Sequence, residues 1–254
     1  MKTLKIALGL LLTFSLISSC GDDEEEETAA DNFTLNGAGS GVTALLATPE
    51  AASLSVYQFA VSANEDCSDP LVVIDNGDTP VDFDMLASPE IGTGTIPDGT
   101  YPCVIFIMAP ELSVTPGTTD SACTAGEAIS QNVCAGGGGG DSEGATVDLE
   151  GNLQTCAEST DKAYLYLSTG SLLTNDYQSG DNDNCNSQEN ERACNSWEPP
   201  TATDSYLGIP LESALVVAGS QVGVLTLSNL NAGAEGDGDT CGLDRPNFTF
   251  TSGE

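Results

Sequence analysis

Two short stretches repeat the pattern Asp-x-Asp-x-Cys and could bind a metal ion: "DNDNC" at residues 181–185 and "DGDTC" at residues 237–241. Calcium takes about six to eight oxygen ligands, which alternate aspartates of a loop can supply. The EF-hand pattern fails in both, because position five is cysteine and position twelve is Arg192 or Phe248. They are therefore either solvated acidic turns or a calcium site, and no other cofactor is expected. The calcium candidates are Asp181, Asp183, Asp237 and Asp239.

Eight cysteines follow Cys20, and their even number in an exported chain favours four disulfides. Zinc is not expected, because the chain has no histidine and no Cys-x-x-Cys pattern. Two pairs, Cys123–Cys134 and Cys185–Cys194, would each close a polar loop of about ten residues. Other connectivities remain open. The disulfide candidates are Cys67, Cys103, Cys123, Cys134, Cys156, Cys185, Cys194 and Cys241.

The absence of histidine also limits catalysis. Ser-His-Asp and Cys-His sites are excluded, as are imidazole metal sites. Paired carboxylates, as in glycoside hydrolases, remain available. Among 39 acidic residues, however, suitably spaced pairs arise by chance. We therefore expect no enzymatic activity and assign no catalytic residue.

The charge of the chain restricts its partners. Its formal net charge is −34, with five basic residues in 254. Such a chain repels the phosphates of nucleic acids and cannot build a basic site for lipid headgroups. Cations, cationic surfaces and neutral ligands such as sugars are favoured instead. An equally plain interpretation is solubility in a salty medium, where screening makes the charge tolerable.

The N-terminus has the features of a secretory signal. Lys2 and Lys5 precede an apolar run at residues 6–17, and Ser18 and Ser19 follow it. As a helix this run would span roughly 18 Å, too short for a bilayer core of about 30 Å. Removal of residues 1–19 takes away two lysines and no acid, so the net charge becomes −36.

The tetrapeptide Ile17-Ser18-Ser19-Cys20 resembles the lipobox of bacterial lipoproteins, an aliphatic residue and two small residues before a cysteine. The family typically has leucine where this chain has Ile17. The resemblance implies that Cys20 receives a diacylglycerol thioether and an N-acyl chain such as palmitate. Two or three lipid chains anchor a protein stably to a membrane.

Six consecutive acids, Asp22 to Glu27, follow Cys20 after a single glycine. Their mutual repulsion predicts a hydrated, flexible tether, which we extend over residues 20–44. The run also resembles the acidic export signal of surface-exposed lipoproteins in some bacterial groups. That resemblance implies the outer membrane, with the cell surface favoured over the periplasmic face.

Residues 45–254 read as an all-β domain. Apolar and alternating segments at residues 54–62, 71–74, 81–85, 101–108, 162–168, 221–230 and 247–252 predict strands. Asn76-Gly77 predicts a hairpin turn. Long polar loops are expected at residues 115–141 and 174–204. We predict a disulfide-braced β-sandwich, which could consist of two packed halves, 45–115 and 146–254.

One passage, "FDMLASPEIGTGTIPDGTYPCVIFIM" at residues 83–108, is similar to transthyretin-like (prealbumin-like) β-sandwich domains of bacterial surface lipoproteins. Its centre, Pro97-Asp98-Gly99-Thr100-Tyr101, is a turn followed by a strand. The resemblance implies a sandwich fold and carries over no active site.

The expected function is that of a non-catalytic lipoprotein, held by its lipid at the outer membrane or cell surface. Its β-domain would serve envelope architecture, adhesion or ligand capture, with the ligand or protein partner unknown. The alternative is a carbohydrate-binding module or a carbohydrate-active enzyme.

Overall fold

The computed structural model describes residues 30–40, 49–119, 122–133, 145–156, 160–170, 196–197, 209–228, 230, 232–235, 240–243 and 246–253. These residues form strands and a single 3-10 turn, Met85–Ala87, without any α-helix among them. The strands are β1 (Ala30–Ser40), β2 (Pro49–Ser62), β3 (Leu71–Asp75), β4 (Val81–Asp84), β5 (Glu90–Pro97), β6 (Gly99–Tyr101), β7 (Cys103–Pro116), β8 (Ile129–Asn132), β9 (Ala145–Val147), β10 (Leu153–Thr155), β11 (Ala163–Ser168), β12 (Ser196–Trp197), β13 (Ile209–Pro210), β14 (Leu215–Val217), β15 (Gln221–Ser228), β16 (Ala232–Glu235), β17 (Thr240–Leu243) and β18 (Asn247–Gly253).

A seven-stranded sheet is built around β2 and β7, which run antiparallel and are 14 residues long each. Each of these two strands pairs on its other side with two short strands. β3 and β4 pair with successive parts of β2, and β11 and β8 pair with successive parts of β7. β13 lies beside β11. In β7, side chains from Cys103 to Ile107 are fully buried, as is typical of a central strand covered on both faces.

A four-stranded sheet has the order β18-β15-β1-β5, with β1 parallel to β15. In β1, Phe33 and Leu35 are fully buried, whereas Thr34 and Asn36 lie on the outer side. The tether predicted over residues 20–44 is therefore wrong for β1, and the domain begins well before residue 45. The physical reason is the alternation of polar and apolar residues in "NFTLN", which supplies two core side chains after the acidic run ends.

The two sheets pack face to face through a core in which four phenylalanine rings contact one another. The ring of Phe59 lies 5.3 Å from that of Phe33 and is stacked on it. The same ring lies 5.0 Å from Phe106 and 5.8 Å from Phe250. Phe59 in the large sheet thus contacts rings from the first and the last strands, and each such pair contributes about 0.5–1.5 kcal/mol beyond burial.

The division into halves at residues 45–115 and 146–254 is wrong, because strands of both ranges alternate within each sheet. β11 pairs with β7 in the large sheet, and β15 and β18 join β1 and β5 in the small one. The described strands of the two sheets form one disulfide-braced β-sandwich.

The sandwich is closed on one side by a close approach of β3 to β5. A Cβ atom added at Gly94 would lie 1.9 Å from the carbonyl oxygen of Val73. One added at Gly92 would lie 2.6 Å from Cγ2 of Ile74. Only glycine allows this contact between the edge strands of two different sheets.

The predicted strands are all present, but the predicted hairpin at Asn76-Gly77 is wrong. β3 and β4 do not pair with each other, because both continue in one direction along β2. The backbone N–H of Asn76 donates to Tyr57 O at 2.8 Å, and its Nδ2 donates to Val56 O at 3.2 Å. These bonds hold Asn76 against β2, and residues 76–80 connect β3 to β4. The predicted long loops also contain short strands, β8 and β12.

Three small sheets complete the described part: β10-β9-β12, the pair β14-β6 and the pair β16-β17. Tyr101 at the end of β6 is buried, and its hydroxyl donates to Pro97 O at 2.8 Å. A search of the described residues finds no helix long and apolar enough to cross a membrane.

Candidate functional site

The residues predicted to carry lipid or calcium lie outside the described part of the chain. This applies to Cys20 and to Asp181, Asp183, Asp237 and Asp239. Within the described ranges, no group of three or more His, Cys, Asp or Glu side chains could hold a metal ion. The lipid and calcium assignments therefore stay predictions.

Two disulfides are defined, Cys67–Cys103 and Cys123–Cys241, with Cα–Cα distances of 5.4 and 4.8 Å. The local pair Cys123–Cys134 is therefore wrong. β8 begins six residues after Cys123 and extends along β7, so it carries the chain away from Cys123, and β17 supplies Cys241 instead. Cys156 is also disulfide-bonded and fully buried. The other candidates, Cys134, Cys185 and Cys194, lie outside the described residues, so the pair Cys185–Cys194 stays a prediction.

Three tyrosines and a lysine lie together on the outer face of the seven-stranded sheet. This tyrosine patch consists of Tyr57, Tyr164, Tyr166 and Lys162, and it packs with the second apolar cluster around Cys67–Cys103. Nζ of Lys162 lies 4.8 Å from the centre of the Tyr57 ring, a cation–π contact. Burial and, secondarily, the charge of Asp161 raise the pKa of Tyr57.

The tyrosine patch was not predicted, although the sequence carried its signal. In "KAYLYLS", the alternate positions of Tyr164 and Tyr166 place both rings on one face of β11, and Lys162 stands in the same alternation just before the strand. Ala163, Leu165 and Leu167 of the same strand face the core.

A turn between β9 and β10 covers part of the patch and is organised by Asp148. Oδ1 of Asp148 accepts from the backbone N–H of Asn152 at 2.7 Å and of Glu150 at 3.1 Å, and Oδ2 accepts from Nε2 of Gln154 at 2.8 Å. The Tyr166 hydroxyl donates to Asp148 O at 3.1 Å. Burial acts to raise the pKa of Asp148, but these donors outweigh it and lower the pKa.

This carboxylate has its acceptor positions occupied by donors from its own turn, and only 9% of the residue is exposed. It holds the turn rather than offering a base to a substrate. Burial also raises the pKa of Tyr164 and of Tyr166 above their ordinary range, so both hydroxyls stay protonated. The patch can therefore pack and donate hydrogen bonds.

A second carboxyl cluster lies where β1 begins. The backbone N–H of Gly219 donates to Oδ2 of Asp31 at 2.9 Å and to Oδ1 of Asp98 at 3.3 Å. The hydrogen bond between the two carboxyl groups is the main cause that raises the pKa of Asp31, followed by burial and the charge of Asp98. An N–H group aimed at both carboxyls opposes the binding of a cation at this cluster. No spacing in the sequence signals this pair, whose members are 67 residues apart.

Comparison with protein-family models, with curated proteins and with solved structures gives no significant match for this chain. The lipoprotein and transthyretin-like resemblances therefore rest on the residues quoted for them. The function has to be argued from the signal region, the sandwich and its surfaces.

Proposed function

We propose that this protein is a non-catalytic lipoprotein, anchored through Cys20 in the outer membrane and facing the cell surface, whose sandwich serves adhesion or ligand capture. The observation that carries the proposal is the sequence from residue 16 to residue 27, where an apolar run, a lipobox cysteine and six acids follow one another. The lipid attached to Cys20 would hold the chain in the membrane, and water would solvate the six acids that follow.

The position of β1 sets how far the domain stands from the lipid. Ala30 is ten residues after Cys20, and a fully extended chain of that length reaches at most about 35 Å. The end of the sandwich that contains Ala30, Pro97 and Gly219 is therefore tied close to the bilayer. The other end of β1, at Ser40, lies roughly 33 Å further along the strand.

The carboxylates of two described sites favour a binding role over catalysis. Asp148 is saturated with donors, and Asp31 and Asp98 are in hydrogen-bond contact. Glycoside hydrolases keep their two carboxyl groups about 5–9.5 Å apart to admit a sugar or a water molecule. The Asp31 and Asp98 carboxyls instead share one donor, the backbone N–H of Gly219.

The test is phase partition in Triton X-114 combined with protease treatment of intact cells. The wild-type protein should enter the detergent phase, and Cys20→Ser should move it to the aqueous phase. Replacing Glu24 to Glu27 by serine is the matched change, since it should leave the lipid but abolish cleavage by external protease. A Cys20→Ser protein that stays in the detergent phase would contradict the anchor.

Carbohydrate binding, or a carbohydrate-active enzyme, is the second candidate. The half-buried ring of Tyr164 favours it, because Lys162 occupies the alternate position two residues earlier and an aromatic ring with polar groups nearby suits a sugar. Incubation with a glycan panel separates the two forms: turnover supports an enzyme, and retention without turnover supports a binding module.

Calcium binding at Asp181/Asp183 or Asp237/Asp239 is proposed as an accessory property. A site of millimolar affinity at about 10 mM calcium would stabilise the domain by roughly 1.4 kcal/mol. The melting temperature should rise more with calcium than with magnesium at matched ionic strength. Equal shifts would leave the two stretches as solvated acidic turns.

A further inference from the structure

The outer face of the four-stranded sheet carries a set of threonines on adjacent strands. On β1 and β5, Thr34 lies opposite Thr93, and on β15 and β18, Thr226 lies opposite Thr249. We call this surface the threonine face and define it by Thr34, Thr93, Thr95, Thr226, Thr249 and Thr251. The flanking members, on β5 and β18, are exposed, and Thr34 and Thr226 are half-buried between their neighbours.

The remaining outward positions of these strands are also uncharged, with one exception. Asn32 and Asn36 of β1 and Val222 and Val224 of β15 share the face. Glu90, opposite Asn36 at one corner, is the only charged residue among the outward positions of the four strands. By contrast, four aspartates occur between residues 75 and 84, along the edge of the other sheet.

The dimensions of the face follow from sheet geometry. Four strands about 4.8 Å apart and some eight residues long give a surface of roughly 14 by 26 Å. Side chains repeat along each strand at about 6.6–6.8 Å. Hydroxyl and amide groups, which both donate and accept hydrogen bonds, alternate on it with methyl groups of threonine and valine.

These properties define the chemistry of the partner. A second copy of this chain is disfavoured, because each copy carries a net charge of −34 or below and the copies repel. An acidic polymer is repelled for the same reason, and a cationic one would bind the aspartate-rich edges instead. A neutral polymer rich in hydroxyls meets no repulsion, can exchange hydrogen bonds with threonine and asparagine, and can place C–H groups on the methyls.

We propose that the threonine face is the docking surface for a neutral polysaccharide. The inference rests on the proposed function in ligand capture and names its partner and its surface. Each contact is weak, and the affinity comes from many anchored copies that bind one polymer, since linked binding events raise the effective concentration.

The test is retention of the mature full-length protein, in detergent micelles, on cellulose and on chitin, with alginate and chitosan as acidic and cationic controls. Thr249→Glu with Thr251→Glu places two charges on the face. Thr79→Glu with Thr100→Glu is the matched control, since both threonines are exposed and lie off the face. Melting curves of both variants establish that they are folded.

We expect retention on at least one neutral polymer that is unchanged between low and 1 M salt. It should fall at least five-fold in the first variant and stay near wild type in the second. No retention on either neutral polymer, or equal losses in both variants, would overturn the proposal. A dimer of the wild-type protein that is detected by light scattering and is absent in the first variant would also overturn the proposal. A second copy of the chain would then occupy the face. Failure of the Cys20 test would remove the multivalent, anchored mode of binding but not the expected difference between the two variants, so the two proposals fail separately.

Discussion

The outer faces of the two sheets differ in their side chains: one is aromatic and covered, and the other is uncharged, polar and exposed. The face of the seven-stranded sheet is covered: tyrosines, the Cys67–Cys103 disulfide and the Asp148 turn pack over it. The face of the four-stranded sheet presents uncharged threonines, asparagines and valines. The same sandwich thus has one outer face that adds to its stability and one whose side chains contribute little to it. Side chains whose substitution leaves the free energy of unfolding unchanged are available for binding. The following predictions test this difference between the two faces.

The largest effect is expected from removal of the Cys67–Cys103 disulfide, which belongs to the covered face. It closes a loop across a sequence separation of 36. Loop-closure entropy predicts that Cys67→Ala with Cys103→Ala lowers the free energy of unfolding by about 4 kcal/mol. Urea denaturation measures it. A loss below about 1 kcal/mol would mean that this face contributes less than we infer.

Asp148→Ala should lower the free energy of unfolding by about 2–4 kcal/mol, because it leaves several N–H groups of the β9–β10 turn without an acceptor. Since its pKa is lowered in the folded state, this stability is present above the ordinary aspartate pKa and is lost as the pH falls through the lowered value. Glu150→Ala is the control, because its side chain is exposed and only its backbone N–H contacts Asp148. Equal effects of the two changes would contradict the role of the Asp148 carboxylate.

Asp31→Asn should raise the melting temperature at neutral pH, because it removes one of two adjacent carboxylates. The pKa of Asp31 is raised, so the stability linked to its proton is complete below the ordinary value of 3.8 and is lost as the pH rises through the raised pKa. The advantage of the variant should therefore grow with pH over that window. Glu90→Gln, at the opposite end of β1, serves as the control. A constant difference at all pH values would show that the pKa of Asp31 is not raised in the folded protein.

The smallest effects on stability are expected on the threonine face. Thr249→Ala and Thr251→Ala should each change the free energy of unfolding by about 0.5 kcal/mol or less, because both side chains are exposed on an outer strand. Chemical denaturation of these variants and of Asp148→Ala under the same conditions compares their free energies of unfolding directly. Losses near 2 kcal/mol would mean that these threonines are structural and that the two faces do not differ.

A last prediction involves connectivity and no change in stability. Nδ2 of Asn132 donates to Cys156 O at 2.9 Å, and Cys134 is only two residues after Asn132. We therefore expect Cys134 to be the partner of Cys156. Peptide mapping of the unreduced protein would show a peptide that joins the two, and a peptide joining Cys156 to Cys185 or Cys194 would disprove it.

The sequence predicted the fold class and the main strands, because the period-two pattern of segments such as residues 54–62 and 247–252 comes from the core itself. It missed β1, since the adjacent acidic run suggested a tether and "NFTLN" is short. It misread Asn76-Gly77, because the local turn signal does not show that both flanking strands pair with β2 rather than with each other. The pairing of Cys123 with Cys241 could not be predicted from the sequence, because only the tertiary fold brings together two cysteines that are 118 residues apart.

The division between the two faces is tested most directly by hydroxyl-radical footprinting of the mature protein with and without cellulose or chitin, read out by mass spectrometry. Val222 and Val224 report on the threonine face, Tyr164 on the covered face, and Val216, which is 56% exposed, on neither. We predict that the neutral polymer that retains the protein lowers the labelling of Val222 and Val224 and leaves Tyr164 and Val216 unchanged. Protection of Tyr164 without protection of the two valines would place binding on the covered face and contradict the account.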